Sequence, residues 1–240
     1  MRYILPLVFL LLNPMTAMGF DARETQQIKE LVMETLRENP EILSELSGLL
    51  KEKQAQQRTE ALKEVISLNA KFLFHDENAP VSGNVNGDVT MIEFFDYNCG
   101  YCKKAAQEVQ QLLSADSNIK LVYREWPILS EGSVFGAKAA LAARKQGMYL
   151  EMHDALMNLP RVHEASTLEV AQKLGLDIAQ LEKDMKAPEI EQHLKRSSTL
   201  AKSLGFTGTP SMIIGDNVAF GYLPLSALQS RVKTARITQN

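Results

Sequence analysis

The sequence predicts an α/β fold with a long helical insertion, preceded by a helical extension, and three observations carry that expectation. Residues 89–95 form an apolar, strand-like run that leads through a helix-patterned segment to a second such run at 119–124, which is a β-α-β unit. A helical stretch over 133–204 separates this unit from short strand-like segments at 211–214 and 218–220 and a closing helix. Ahead of the first strand, apolar residues recur at 28, 31, 32 and 36, at 42, 43, 46, 49 and 50, and at 62, 65 and 66, the spacing of three and four that gives a helix one apolar face. With 240 residues, 45% hydrophobic and 23% charged, the chain has the composition of a folded protein, not of a disordered, collagenous or purely coiled-coil one. Its formal charge of −3 supplies no electrostatic footprint for nucleic acid, and none is expected as a partner.

In chain order, residues 1–19 have the pattern of a cleaved secretory signal. Arg2 provides the positive start, 4–12 the apolar run, and Ala17-Met18-Gly19 the small-residue cleavage site, with cleavage near Gly19. The apolar run is shorter than the roughly 20 residues that span a bilayer. An exported, periplasmic protein is the expectation, in a compartment where disulfides form. Residues 20–77 are expected to form a helical oligomerisation stalk, interrupted at Asn39-Pro40, because proline disfavours helical geometry in the residue before it and suits the first turn of the next helix. Residues 51–60 are almost wholly polar and are expected to be either a solvated helix or a flexible connector. Glycine, proline and asparagine cluster across 78–87, the expected boundary, and 78–240 forms the second domain, with its helical insertion at about 131–205. Ser166 with Glu169 has capping-box spacing and predicts an internal helix start, and Gly205 suits a helix C-terminus. Gly215-Asp216-Asn217 turns the chain between the two late strands, and Pro224 opens a helix ending near Arg236. Strand–helix–strand, a helical block, then strand–strand–helix is the order of a thioredoxin fold with an inserted helical domain, here preceded by an N-terminal α-helical extension.

The chain has two cysteines, Cys99 and Cys102, at the exit of a strand and the entry of a helix. The first thiol then lies at a helix N-terminus, where unpaired N–H groups and the positive end of the dipole stabilise a thiolate. Such motifs lower a thiol pKa from about 8.5 into a range of roughly 3.5–7.5. A thiolate at neutral pH is both nucleophile and leaving group, the two properties that thiol–disulfide exchange requires. Cys99 is expected to attack and Cys102, one turn into the helix, to resolve. A structural disulfide this short would remove little unfolded-state entropy. A zinc or copper site would need two further ligands, and His75, His153, His163 and His193 are scattered, so no metal is expected. The redox-active Cys99–Cys102 pair itself needs no cofactor.

The segment Glu93-Phe94-Phe95-Asp96-Tyr97-Asn98-Cys99-Gly100-Tyr101-Cys102 resembles the active-site segment of the DsbA-like periplasmic thiol-disulfide oxidoreductases. Residues 149–156 resemble a helix of that family's inserted domain, and Thr207-Gly208-Thr209-Pro210 resembles its cis-proline loop. The resemblance implies that Pro210 is cis and faces the cysteines, with Thr209 offering its backbone to a substrate peptide. Glu93, in an otherwise apolar strand, is then the buried acid beneath the disulfide, raised in pKa by desolvation and able to relay the proton of Cys102; the alternative is a solvent-facing strand glutamate. His153 and Asp154 are expected to be structural. Tyr101 either tunes the redox potential or shields the disulfide.

The dipeptide Gly100-Tyr101 lacks the histidine typical of the strongest oxidants in that family, and Thr209 precedes the proline; both features are similar to the DsbC disulfide isomerases. The helical extension is similar to that of the oligomeric suppressor-of-copper-sensitivity C proteins. Together these imply a homo-oligomeric disulfide isomerase acting on unfolded or misfolded exported proteins, with a membrane redox partner that reduces or oxidises the cysteine pair. The alternatives are a dithiol oxidase that introduces disulfides, and a non-catalytic holdase or copper-binding protein.

Overall fold

A computed structural model of the protein describes residues 21–239. The expected signal segment, 1–19, lies outside the described residues. The chain divides into two compact units, residues 1–57 and 58–240.

In the first unit, α1 (Ala22–Glu38) starts at Asp21, whose side chain accepts from the Glu24 N–H at 2.7 Å while Glu24 reaches back to the Asp21 N–H. This reciprocal cap satisfies two donors that the helix would otherwise leave unpaired. At Asn39-Pro40 the helix stops, and α2 (Glu41–Leu68) begins. Residues 51–60 continue α2, so the solvated helix, not the flexible connector, is formed there. No residue of α1 is buried, and Ile28, Leu31, Val32 and Met33, like Leu43, Leu46, Leu49 and Leu50 of α2, are exposed.

The second unit takes in the last turns of α2, because Ile66 is buried there together with Leu73 of α3 (Ala70–Phe74). The division at 57/58 therefore falls ahead of the 78–87 loop. That loop also contains a strand: β1 (Val81–Gly83) pairs antiparallel with β3 (Ile119–Glu125). Three residues are too few for a period-two pattern to show in sequence. The strand ends at Gly83, where a positive φ of 70° and close approach to the Ile119 carbonyl leave no place for a side chain.

β2 (Val89–Phe95), α4 (Gly100–Ala115) and β3 form the expected β-α-β unit, with β2 and β3 parallel. Beyond β3 come α5 (Glu131–Ala143), a 3₁₀ turn (Arg144–Gln146), α6 (Tyr149–Asn158), α7 (Glu164–Lys173), α8 (Ile178–Asp184) and α9 (Pro188–Ser203). The chain returns through β4 (Ser211–Ile214) and β5 (Asn217–Phe220) and closes with α10 (Leu225–Gln239). The five strands lie in the order β1-β3-β2-β4-β5, with β4 antiparallel to β2 and β5 antiparallel to β4. The fold is the expected thioredoxin type with a helical insertion.

One helix start is corrected. α7 begins at Glu164, not at Ser166: His163 is its cap, accepting from the Ser166 N–H, while Ser166 occupies the third helical position and accepts from the His163 N–H. Glu169 instead pairs with Lys173 at 2.6 Å, one turn on. At the end of α9, Gly205 adopts φ 71° and the Phe206 N–H closes on the Ala201 carbonyl, satisfying a terminal acceptor. Strand alternation separates two cores. Met91 and Phe95 of β2, with Leu121 and Tyr123 of β3, face α4, the insertion helices and α10, whereas Ile92, Phe94, Val122 and Trp126 pack with Ile66, Leu73 and the end of α9.

Candidate active site

β2 ends at Phe95, and residues 96–98 carry the chain across to α4. Cys99 is the N-cap of that helix, with extended backbone (φ −80°, ψ 115°), and its carbonyl receives the Cys102 and Lys103 N–H groups at 3.0 and 3.1 Å. The loop is held by Asp96, a buried carboxylate that accepts from the Asn98 N–H at 2.7 Å, Ser133 Oγ at 2.7 Å and the Ile128 and Leu129 N–H groups at 2.8 and 3.0 Å. Asn98 adds a second tie: its Nδ2 donates to the Val162 carbonyl, and its Oδ1 accepts from the Val162 N–H at 2.8 Å. Two side chains of the motif thus fasten the dithiol loop to the segment that follows β3 and to the helical insertion.

The two thiols are free and chemically unequal. Cys99 is half-buried, and its pKa is lowered to about 5, first by the hydrogen bond from Cys102, with further help from Thr209 and the backbone N–H groups of Cys102 and Tyr101, against the opposing effect of burial. Cys102 is 0% exposed, and burial followed by its hydrogen bond to Cys99 drives its pKa upward. At neutral pH the first cysteine is a thiolate and the second a thiol that donates to it.

Thr209 and Pro210, far away in sequence, arrive beside Cys99: the Thr209–Pro210 bond is cis, and Cys99 Sγ lies 3.2 Å from the Thr209 carbonyl oxygen. A Cβ at Gly100 would meet nothing within 4 Å, so glycine there answers no local packing need and leaves the approach to Cys99 uncovered. Tyr101 is 65% exposed and its ring lies 6.1 Å from that of Tyr222. Tyr222 is itself fixed, donating to Glu108 at 2.7 Å beneath the Lys104 ammonium.

Glu93 is 2% exposed, with Oε1 unpartnered, and burial raises its pKa to about 8. The solvent-facing alternative is excluded. Alternation along β2 places it with Met91 and Phe95 on the side where α4 packs.

A second buried glutamate lies nearby that the sequence reading does not single out. Glu125, at the end of β3, accepts from the Tyr97 and Tyr149 hydroxyls, both at 2.9 Å, and burial raises its pKa well above the ordinary carboxylate range. His153 Nδ1 lies 3.1 Å from the Tyr97 hydroxyl, and burial lowers the pKa of that ring to about 3, so it is neutral. The signal that singles out Glu93, one charged residue in an apolar strand, is absent at Glu125, whose strand also carries Lys120 and Arg124. Asp154 is tied to Gln110 on α4 at 3.0 Å. Among the described residues, no group of three or more His, Cys, Asp or Glu side chains is placed to hold a metal ion.

A low-pKa thiol at a helix start, a buried thiol one turn in and a cis-proline loop against them, all on a thioredoxin sheet, are the groups of a thiol–disulfide oxidoreductase. Residues 90–233 match the DSBA-like thioredoxin domain, and residues 24–57 match the copper resistance protein ScsC N-terminal domain. The first match spans more than half of the chain, which belongs to the DsbA-like thioredoxin family. A thioredoxin-like oxidoreductase from Silicibacter pomeroyi DSS-3 is 53% identical, with 70% of this chain and 97% of that one covered and a TM-score of 0.69. The thiol-disulfide exchange protein alpha-DsbA2 from Wolbachia pipientis is 33% identical over 74% of this chain and 97% of its own, also at 0.69. A linker-deletion mutant of Proteus mirabilis ScsC, 21% identical, shares the fold over 94% of this chain and all of its own, at 0.70. Among curated relatives, the Na(+)/H(+) antiporter NhaA 3 of Salinispora tropica is 27% identical over 158 residues, 65% of this chain, and the chain spans only 24% of that protein. No helix among the described residues is long and apolar enough to cross a membrane.

Proposed function

We propose that the protein is an exported, periplasmic disulfide isomerase that works as a homo-oligomer, and that its clients are misfolded exported proteins. The observation that carries this reading is the coupling, in one chain, of a reactive dithiol to a helical unit whose apolar stripe is uncovered. Exposed Leu43, Leu46, Leu49 and Leu50 follow the apolar spacing of a helix that packs against another. A second copy of the same stripe is the occupant that fits it, because isologous contacts are self-complementary. Several catalytic units joined in this way hold a client while one thiolate works, an effective-concentration advantage.

The chemistry follows from the unequal thiols. The Cys99 thiolate attacks one sulfur of a client disulfide, forming a mixed disulfide and expelling the other client sulfur as a thiolate. In isomerisation that thiolate attacks a different disulfide of the client, and a client thiolate finally displaces Cys99. In the escape route Cys102 gives up its proton and attacks Cys99 Sγ, releasing reduced client and leaving the Cys99–Cys102 disulfide for a membrane partner to reduce. Glu93 is proposed to relay that proton, passing on the one it holds as it takes up the one Cys102 gives up, and Thr209 and Pro210 as the backbone against which the client strand lies, by β-augmentation.

One observation favours a second reading, a dithiol oxidase. A Cys99 pKa near 5 stabilises the reduced form, and a stabilised reduced form makes the disulfide a stronger oxidant. Refolding of a scrambled-disulfide substrate by the full chain and by a chain lacking residues 21–57, with light scattering alongside, separates the two. The isomerase is expected to lose its oligomeric mass and most of its reshuffling while still reducing insulin. Unchanged mass or unchanged reshuffling overturns it, and a cysteine pair trapped fully oxidised in cells favours the oxidase.

A further inference from the structure

Buried charge is unevenly matched between β3, α9 and the segment after α3. Asp76 receives two guanidinium groups, Arg124 Nη1 at 2.8 Å and Arg196 Nη1 at 3.1 Å. One carboxylate against two guanidiniums leaves a unit of positive charge unmatched, and Arg124 is 0% exposed. Its Nε and Nη2 have no hydrogen-bond partner. On the facing side of α9, His193 is 2% exposed with both ring nitrogens unpartnered, and one turn further Ser197 Oγ is also buried and unpartnered. Buried polar groups of folded proteins are rarely left in this state.

A cavity of about 270 Å³ opens at His193, the one member of this cluster in its wall; Asn78, Arg144 and Lys145 face it with the Glu189 carboxylate and the apolar Leu141 and Ile190, and Arg144 Nη2 donates to the Glu77 carbonyl at 2.7 Å. That volume is several times the roughly 30 Å³ of a water molecule. The His193 pKa is lowered to about 3, by burial first and then by Arg124, Arg144 and Arg196, against Asp76, so the wall it occupies is neutral within an electropositive surround. At the rim, Lys145 pairs with Glu189 at 2.6 Å and Asp184 at 3.2 Å. That trio carries one net negative charge, which Arg144 balances, so the inner excess stays unmatched.

We infer that this cavity binds one small monovalent anion, a carboxylate or oxyanion, held by Arg144 and His193 and drawn in by the excess charge of the Arg124–Arg196 pair. Such a ligand joins α9, the turn after α5 and the Asp76 segment. It stabilises the fold without touching the cysteines, and it is independent of the function proposed above.

Thermal unfolding of the full-length reduced protein in sodium acetate, at constant ionic strength, tests it. A saturable rise in Tm is expected, on the order of 2–4 °C at several times the dissociation constant. Arg144→Gln, at an exposed position, is expected to weaken apparent acetate affinity about tenfold or more, because a charge-assisted contact is lost, while exchange with a small-molecule disulfide is unchanged. Arg196→Gln, which restores a one-to-one pair at Asp76, is expected to abolish the saturable effect. A Tm that does not saturate with acetate, or an Arg144→Gln variant that titrates like the wild-type protein, overturns the inference.

Discussion

Leu43, Leu46, Leu49 and Leu50 stand exposed along α2, whereas Leu73, Leu112, Leu121 and Leu156 of the second unit are buried to within 1%. The second unit covers its apolar side chains with its own sheet and helices. Among the described residues of the first unit, α1 and the first turns of α2 bury none of theirs. A cap such as the one at Asp21 contributes on the order of 1 kcal/mol, far less than packing an apolar face. The difference teaches that the two units bury apolar surface differently: the second covers its own, and the described helices of the first leave an apolar stripe exposed, which is the stripe the proposed assembly would cover. Chemistry is expected to reside in the second unit and assembly in the first.

The sharpest way to break that division is Cys99→Ser. Insulin reduction and reshuffling are both expected to fall to the uncatalysed rate, while molar mass in light scattering stays the same; residual exchange would move the chemistry elsewhere. Next in size is the paired change Leu46→Lys with Leu50→Lys, one turn apart on the stripe. Mass is expected to drop to that of one chain and reshuffling by about tenfold, with insulin reduction nearly intact. If reshuffling survives in the monomer, assembly and catalysis are not linked.

Glu93 offers a smaller and more specific test, within the second unit. Its folded pKa is raised from 4.5 to about 8, so the native state holds a proton that the unfolded chain releases. The associated stability is present below pH 4.5 and is lost as pH rises through about 8. Urea unfolding of the reduced protein should show this decline, and Glu93→Gln should remove it, gaining on the order of 1–4 kcal/mol over wild type at pH 8. A parallel pH dependence in the two proteins would mean that Glu93 is ionised in the fold. Smallest is Asn98→Ala, which removes the ties from the dithiol loop to Val162. A loss of about 1–2 kcal/mol is expected, with exchange slowed only a few-fold, and a stability unchanged in urea would show that Asp96 alone holds the loop.

β2 was readable as a largely apolar run and β3 from its Ile119, Leu121, Val122 and Tyr123, and the break between α1 and α2 because proline acts on its immediate neighbour. β1 was not, since three residues carry no period and its partner lies on a strand much later in the chain. The start of α7 was misplaced because Ser166 can serve either as a cap or as the residue that answers one, and His163, a less common cap, decides between them. Asp96 stood inside the motif with no visible task, because all its partners except the Asn98 N–H come from 128–133. Glu125 was missed because it ends a strand that also carries Lys120 and Arg124, so nothing local marks it as buried.

By itself, the sequence determined what is local: two cysteines one helical turn apart, a strand before them, a helix after them, and an apolar stripe on the extension. These follow from spacing along a few residues, where backbone geometry leaves little choice. Only the tertiary structure decided which groups lie within hydrogen-bonding distance and which lose their water. It brought the Thr209 carbonyl to 3.2 Å from Cys99 Sγ, left Glu93 Oε1 without a partner, and set two guanidiniums on one carboxylate at Asp76. Charge and reactivity depend on desolvation and on neighbours distant in the chain, and no pattern of nearby residues contains either.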